Sequence, residues 1–114
     1  MGTWDEKIFA DDANVDFFDE LANLDDDGVV EGVRDACMLG SGGTAEEVAN
    51  AHAAATIAAI WAGAPFSSSA IAEDYPFIRG LIGEGDEALN ELAAGILEDV
   101  DTEEDLEPYL EALA

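Results

Sequence analysis

The stretch Thr44-Ala45-Glu46-Glu47-Val48-Ala49-Asn50-Ala51-His52-Ala53-Ala54-Ala55-Thr56-Ile57-Ala58-Ala59-Ile60-Trp61-Ala62 decides the fold of this chain. It opens with a capping box. The Thr44 hydroxyl can accept from a free backbone N–H of the first turn, and Glu47, at the third helical position, can reach back to the N–H of Thr44. From Ala53 to Ala62 only Thr56 is polar. A helix that is apolar nearly all round has no face to give to water, so it must be central and covered by other elements. Alanine favours helix most strongly, and its small side chain lets neighbouring helices come close. Gly63-Ala64-Pro65 then ends the segment.

Working outward toward the N-terminus, residues 12–24 form an amphipathic helix. Val15, Phe17, Phe18, Leu21, Ala22 and Leu24 share one broad face, and Asp12, Asp16, Asp19, Glu20 and Asn23 share the other. Asp11 or Asp12 can serve as its N-cap. Asp25-Asp26-Asp27-Gly28 interrupts the pattern, with Gly28 expected in a turn. Val29, Val30, Val33, Ala36 and Cys37 then recur at helical spacing until Gly40-Ser41-Gly42-Gly43. Residues 1–11 mix Trp4, Ile8 and Phe9 with charges and read as an ordered arm pinned by its aromatics.

Toward the C-terminus, Ser67-Ser68-Ser69 continues a loop, and residues 75–82 fit either a short helix or an extended packed segment. Gly83 to Asp86 reads as a turn, and residues 87–99 read as a fourth main helix, with apolar positions at Ala88, Leu89, Leu92, Ala93, Ile96, Leu97 and, just beyond, Val100. Thr102-Glu103-Glu104-Asp105 can cap one more turn, and Pro108 is expected to break the final segment. Leu106, Tyr109, Leu110 and Leu113 still point one way. No internal repeat and no alternating strand pattern is evident. The expected fold is all-α: a single domain over residues 1–114, an irregular bundle of four main helices plus a short C-terminal helix. Phe17, Leu21, Ile57, Ile60, Leu92 and Ile96 are its expected core.

Composition narrows the function. The chain has 114 residues, of which 49% are hydrophobic, a share typical of globular proteins. It carries 28 Asp and Glu against three Lys and Arg, a formal net charge of −25. Lys7, Arg34 and Arg79 cannot neutralise a phosphate backbone, which argues against nucleic acid as a partner. Attraction to an anionic membrane surface fails for the same reason. No apolar run reaches the ~18–20 residues of a membrane span. The acidic start, Met1 to Glu6, lacks a signal-peptide pattern, so the cytoplasm is the expected location. Cys37 is the single cysteine and can form no internal disulfide, in keeping with a reducing compartment.

The opening residues resemble an uncharacterised bacterial family, number 4259 among the domains of unknown function. That family typically begins Met-Gly-x-Trp-Gly-x-Gly-x-Phe-x-Asn-Asp and continues into an amphipathic helix containing Ala and Asp. Gly2, Trp4, Phe9, Asp12, Asp16 and Phe17 fall in register with that pattern. Asp5 and Lys7 stand where the family usually has Gly, and Asp11 where it has Asn. The Ala-rich central helix and the Leu-rich C-terminal helix resemble the family's layout as well. The resemblance brings no assigned chemistry, cofactor or partner.

Each candidate site has an ordinary structural alternative. Asn23, Asp25, Asp27, Gly28 and Glu31 occupy positions 1, 3, 5, 6 and 9 of an EF-hand-like loop. Arg34 stands where the bidentate Glu belongs, so Asp25, Asp27 and Glu31 are incomplete calcium ligands. The alternative is an acidic helix–turn–helix connection, and no tight calcium binding is expected. His52, the single histidine, could be a general base or a metal ligand. It has no telling partner in the sequence and reads as the polar edge of an Ala-rich helix. Cys37 lies on an apolar stripe and reads as core. The glycines before Thr44 superficially suggest a phosphate site, but no Lys follows, and a helix C-cap and linker is the simpler reading. Trp4, Phe9, Phe66, Tyr75 and Phe77 either seal the ends of the bundle or form a patch for a partner. No residue stands out as catalytic, and no cofactor motif is present.

These readings add up to a non-enzymatic acidic interaction protein that binds a basic protein, with an immunity-like or inhibitor-like role as one version. Trp4, Phe9, Asp12 and Asp16 are the candidate contacts. The first alternative is a small enzyme or metal-binding protein with a site near His52 or the Asp25–Asp27 loop; a pocket that brings His52 together with two acids would favour it. The second is that the acidity is an adaptation to high salt, unrelated to binding. The charge itself makes a prediction. Three cations cannot pair with 28 acids, so repulsion opposes the compact state. Salt shortens the Debye length from roughly 10 Å at 0.1 M to 3 Å at 1 M. The melting temperature is therefore expected to rise markedly from low salt to 1 M KCl, with a sulfate series controlling for salting-out. A flat curve would mean that the charges are too dispersed to matter.

Overall fold

A computed structural model describes residues 8, 11–39, 43–64, 73, 75, 77–83, 86–99 and 106–113. Its helices are α1 (Asp12–Ala22), α2 (Asp26–Leu39), α3 (Ala45–Trp61), α4 (Phe77–Gly80), α5 (Glu87–Glu98) and α6 (Glu107–Leu113). No strand occurs among the described residues. The Cα radius of gyration is 12.3 Å, the size of a folded chain of this length.

The central helix behaves as its composition requires. α3 touches each of the other five helices, most extensively α2 and α5. Ala53, Ala54, Ala55, Thr56, Ile57, Ala58 and Ala59 are fully buried, so no side of this stretch meets solvent. The Thr56 hydroxyl donates to the His52 carbonyl at 2.8 Å, which lets the polar residue sit in the core. Both capping-box bonds form. Thr44 Oγ1 accepts from the Glu47 N–H at 3.2 Å, and Glu47 Oε1 accepts from the Thr44 N–H at 3.0 Å. At the other end Gly63 has φ +112°, a conformation that favours glycine. The Ala64 N–H then reaches the Ala59 carbonyl and the Gly63 N–H the Ile60 carbonyl, closing a Schellman motif.

The flanking helices present their apolar stripes to α3. Phe18, Leu21, Val33, Leu89, Ala93 and Leu97 are buried against it or beside it. Asp11 is the N-cap of α1, accepting from the Ala13 N–H at 3.0 Å. Asn14 is fully buried, and its side-chain amide donates to the Ile8 carbonyl at 2.8 Å, tying that residue to α1. Tyr75 and Phe77 continue an aromatic row from Phe17 and Phe18, with ring centroids 5.5–6.0 Å apart. Trp61 is held by a bond from its indole N–H to the Phe77 carbonyl. Among the described residues no helix is long and apolar enough to cross a membrane.

Several boundaries differ from the sequence reading. α1 stops at Ala22, with Asn23 as C-cap, two residues before Leu24. Asp26, Asp27 and Gly28 are the first turn of α2, and Gly28 is helical where a turn was expected. Asp25 accepts from the Gly28 N–H at 2.8 Å, and acids at the positive end of the helix dipole favour the early start. Pro108 sits in the first turn of α6 and does not break it, because a first-turn residue needs no intrahelical N–H bond. Residues 75–82 contain the short helix α4. Leu92 and Ile96, expected in the core beside Phe17, Leu21, Ile57 and Ile60, are only partly buried. Periodicity put them on the apolar stripe of α5, but no described helix covers that part of the stripe. Residues 101–105, with the proposed Thr102 cap, lie outside the described residues.

Candidate functional site

The uncovered part of α5 lines a cleft of about 670 Å³. Leu92, Gly95 and Ile96 form one wall, Val48, Ala51 and His52 of α3 the floor, and Cys37 and Met38 of α2 the opposite wall. Glu91 and Asp99, the first and last α5 residues of the lining, add two carboxylates. They are eight positions apart along α5, a backbone rise of about 12 Å. Met38 is 58% exposed, an unusual setting for a large apolar side chain.

A second cleft, of about 260 Å³, opens on the other side of α2. Phe17, Leu21, Leu24, Ala36 and Leu39 give it an apolar lining, and Glu20, Asp35 and Glu47 bring the carboxylates. Leu24 and Leu39 are about half exposed or more. The two clefts therefore share a chemistry: apolar surface among carboxylates, with no Lys or Arg among their described lining residues. Arg34, the one cation whose side chain is described, is engaged elsewhere, in an ion pair with Asp86 at the start of α5. The carboxylate of Asp86 also accepts from the Leu89 N–H. That backbone bond is the main cause holding its pKa below the usual carboxylate value; desolvation pushes the other way, and Arg34 lowers it further.

His52 does meet two acids in one cleft, as the enzyme reading asked. The two acids are eight positions apart on α5, and no group of three His, Cys, Asp or Glu side chains that could hold a metal occurs among the described residues. Partial burial lowers the His52 pKa, so the ring is neutral at pH 7. Protonation on acidification consequently favours the unfolded chain, and stability is lost as pH falls below the ordinary histidine value of 6.5 toward the lowered value of the folded state.

The remaining sequence candidates fall in different places. Asp27 and Glu31 lie on the exposed surface of α2, and Asp25 caps it, so the residues of the EF-hand-like pattern are wound into a helix from Asp26 onward. Asp12 and Asp16 are brought together with Asp11 and with Glu46 of α3 around a shallow depression. Trp4, Phe9, Phe66 and the serines at 67–69 lie outside the described residues, as do Gly40 and Gly42. Tyr75 donates its hydroxyl to Asp19 at 2.7 Å and packs on the core, which fits a sealing role. At Gly43 the chain passes close to the end of α2: a Cβ there would stand 2.7 Å from the Leu39 carbonyl oxygen.

Sequence reasoning missed the cleft residues Leu92, Ile96, Met38 and Gly95. Gly95 carried a signal, being a glycine inside a strong helix, in the last turn of α5, where it costs up to roughly 1 kcal/mol relative to alanine.

The family model for the domain of unknown function DUF4259 matches residues 2–112. The chain therefore belongs to this family of unknown function. No curated protein and no solved structure matches it.

Cys37 forms part of the cleft wall yet is only 2% exposed, and desolvation pushes its thiol pKa up to about 12. Since the thiolate is the reactive form, native Cys37 is expected to react with a disulfide reagent at pH 8 on the order of a thousandfold more slowly than the unfolded chain does. A stopped-flow comparison with and without denaturant checks this. Comparable rates in the two conditions would show that the thiol is accessible from the cleft.

Proposed function

We propose that this protein is a non-enzymatic, acidic interaction protein that binds a basic protein partner, an inhibitor-like or immunity-like role being one form of this. On this reading the chain is a single domain, an irregular bundle of four main helices plus a short C-terminal one, working in the cytoplasm. The observation that carries the proposal is the chemistry shared by the two clefts: exposed apolar side chains among carboxylates, with no described cation in either lining. Buried apolar contact supplies affinity, and complementary charge supplies steering and rejection of wrong partners. The net charge of −25 extends the same preference over the whole molecule.

One observation favours a second reading, a small-molecule or catalytic site. The neutral His52 ring lines the larger cleft with Glu91 and Asp99. A small ligand that raised the melting temperature of the wild type but not of a His52→Ala variant would support it.

The test of the main reading is affinity purification from native lysate at 50 and 500 mM KCl, followed by titration with the purified partner. The expected result is one dominant basic protein in a stoichiometric complex, with affinity falling about tenfold or more over that salt range. Retention of no protein, or of a partner whose affinity ignores salt, would contradict the proposal. If no partner is retained and salt still raises the melting temperature, the acidity is a high-salt adaptation.

A further inference from the structure

The geometry points to the cleft between α2, α3 and α5 as the docking groove for a cationic amphipathic helix of the partner, seated on Leu92, Gly95 and Ile96 and paired with the carboxylates of Glu91 and Asp99. This inference rests on the interaction reading above and adds the site and the kind of segment bound.

Four observations carry it. The groove is built from helices, and no strand occurs among the described residues, so an added β-strand finds no edge to pair with. Polyproline segments dock in aromatic-lined grooves, and no Phe, Tyr or Trp is among the described residues lining this one, which favours helix-in-groove recognition. The length agrees: Glu91 to Asp99 is about 12 Å, the rise of a little over two helical turns. That places apolar anchors at i, i+4 and i+7 of a partner helix over the groove, with a basic residue near each end within reach of a carboxylate.

Charge selects among occupants. The cleft carries two acids and no described Lys or Arg. A second copy of this chain would bring another −25 of charge, so the groove does not suit self-association.

Gly95 supplies the independent observation. It lies inside α5, where glycine is disfavoured, and a Cβ added to it would meet no atom within 4 Å. Internal packing therefore does not require glycine at this position. Gly32 contrasts with it, since a Cβ there would stand 2.6 Å from Leu21 Cδ2. The missing side chain at Gly95 leaves the middle of the groove wall open, which lets a partner helix approach closely.

The test uses three synthetic peptides of about 14 residues, each roughly 21 Å long as a helix. One has a leucine face at i, i+3, i+4 and i+7 flanked by lysines. The second has alanine for each leucine at the same charge. The third has glutamate for each lysine. Binding to the full chain is measured by fluorescence anisotropy at 150 mM KCl. The leucine–lysine peptide is expected to bind about tenfold tighter than its alanine counterpart, and the glutamate peptide not to bind. Gly95→Leu fills the groove and should bring the leucine–lysine peptide down to the alanine level, with no drop in melting temperature. A Glu91→Gln, Asp99→Asn double variant should weaken that peptide several-fold while the folded state persists, a second reading of the groove should Gly95→Leu disturb α5.

Equal binding of the leucine and alanine peptides overturns the groove but leaves an acidic surface that takes basic partners. Unchanged binding to both Gly95→Leu and the double variant likewise overturns the groove alone. No binding of either lysine peptide overturns the interaction reading as well.

Discussion

The rest of the structure depends on one constraint: α3 has no side that can face water over its second half. Seven consecutive residues from Ala53 to Ala59 are fully buried, and a helix can be covered all round only if other helices are arranged about it. That requirement fixes where α1, α2, α5 and α6 lie and which of their faces turn inward. The alanines matter twice. They hold the segment helical, and they keep it thin enough for its neighbours to approach. The ends are closed by local chemistry, the capping box at Thr44 and the Schellman motif through Gly63.

The same constraint sends the charge outward. α3 has acids only in its first turn, at Glu46 and Glu47. The described carboxylates are spread over the polar faces of the surrounding helices and their caps. Hydrophobic burial at the centre must outweigh repulsion among them, because Arg34, the one cation whose side chain is described, is already committed to Asp86. A molecule so short of cations gains most from a partner that brings them. Its uncovered apolar side chains, Met38 and Leu39 at the end of α2 and the Leu92–Ile96 face of α5, sit close to the carboxylates that such a partner would neutralise.

Much of this was legible in the sequence, for identifiable reasons. The capping box and the polar gap from Ala53 to Ala62 depend on neighbours in the chain, so they could be read directly. The Asp11 cap and the stop at Gly63 are local in the same way. The start of α2 was misread because Asp-Asp-Asp-Gly is turn-like by propensity, whereas Asp25 capping and the burial of Val29 and Val33 draw those residues into the helix. Pro108 was misread by weighing its cost inside a helix and not its tolerance in the first turn. The cleft was illegible for a deeper reason. Periodicity says that Leu92 and Ile96 lie on the apolar side of α5, but whether anything covers that side is a property of the assembled helices. Gly95 alone hinted at it, as a helix-weakening residue in a strong helix with no turn to explain it.

The most direct test of this account is native-state hydrogen exchange resolved to single amides. If enclosure of α3 holds the fold together, the amides from Ala54 to Ile60 should be the slowest in the chain and should exchange only through global unfolding, with the same denaturant dependence as the whole molecule. The amides of α6 and of the first turns of α1 and α2 should open earlier. Exchange in α3 that is as fast as in those segments, or that proceeds by local opening, would contradict the claim that the rest of the structure depends on the enclosed helix.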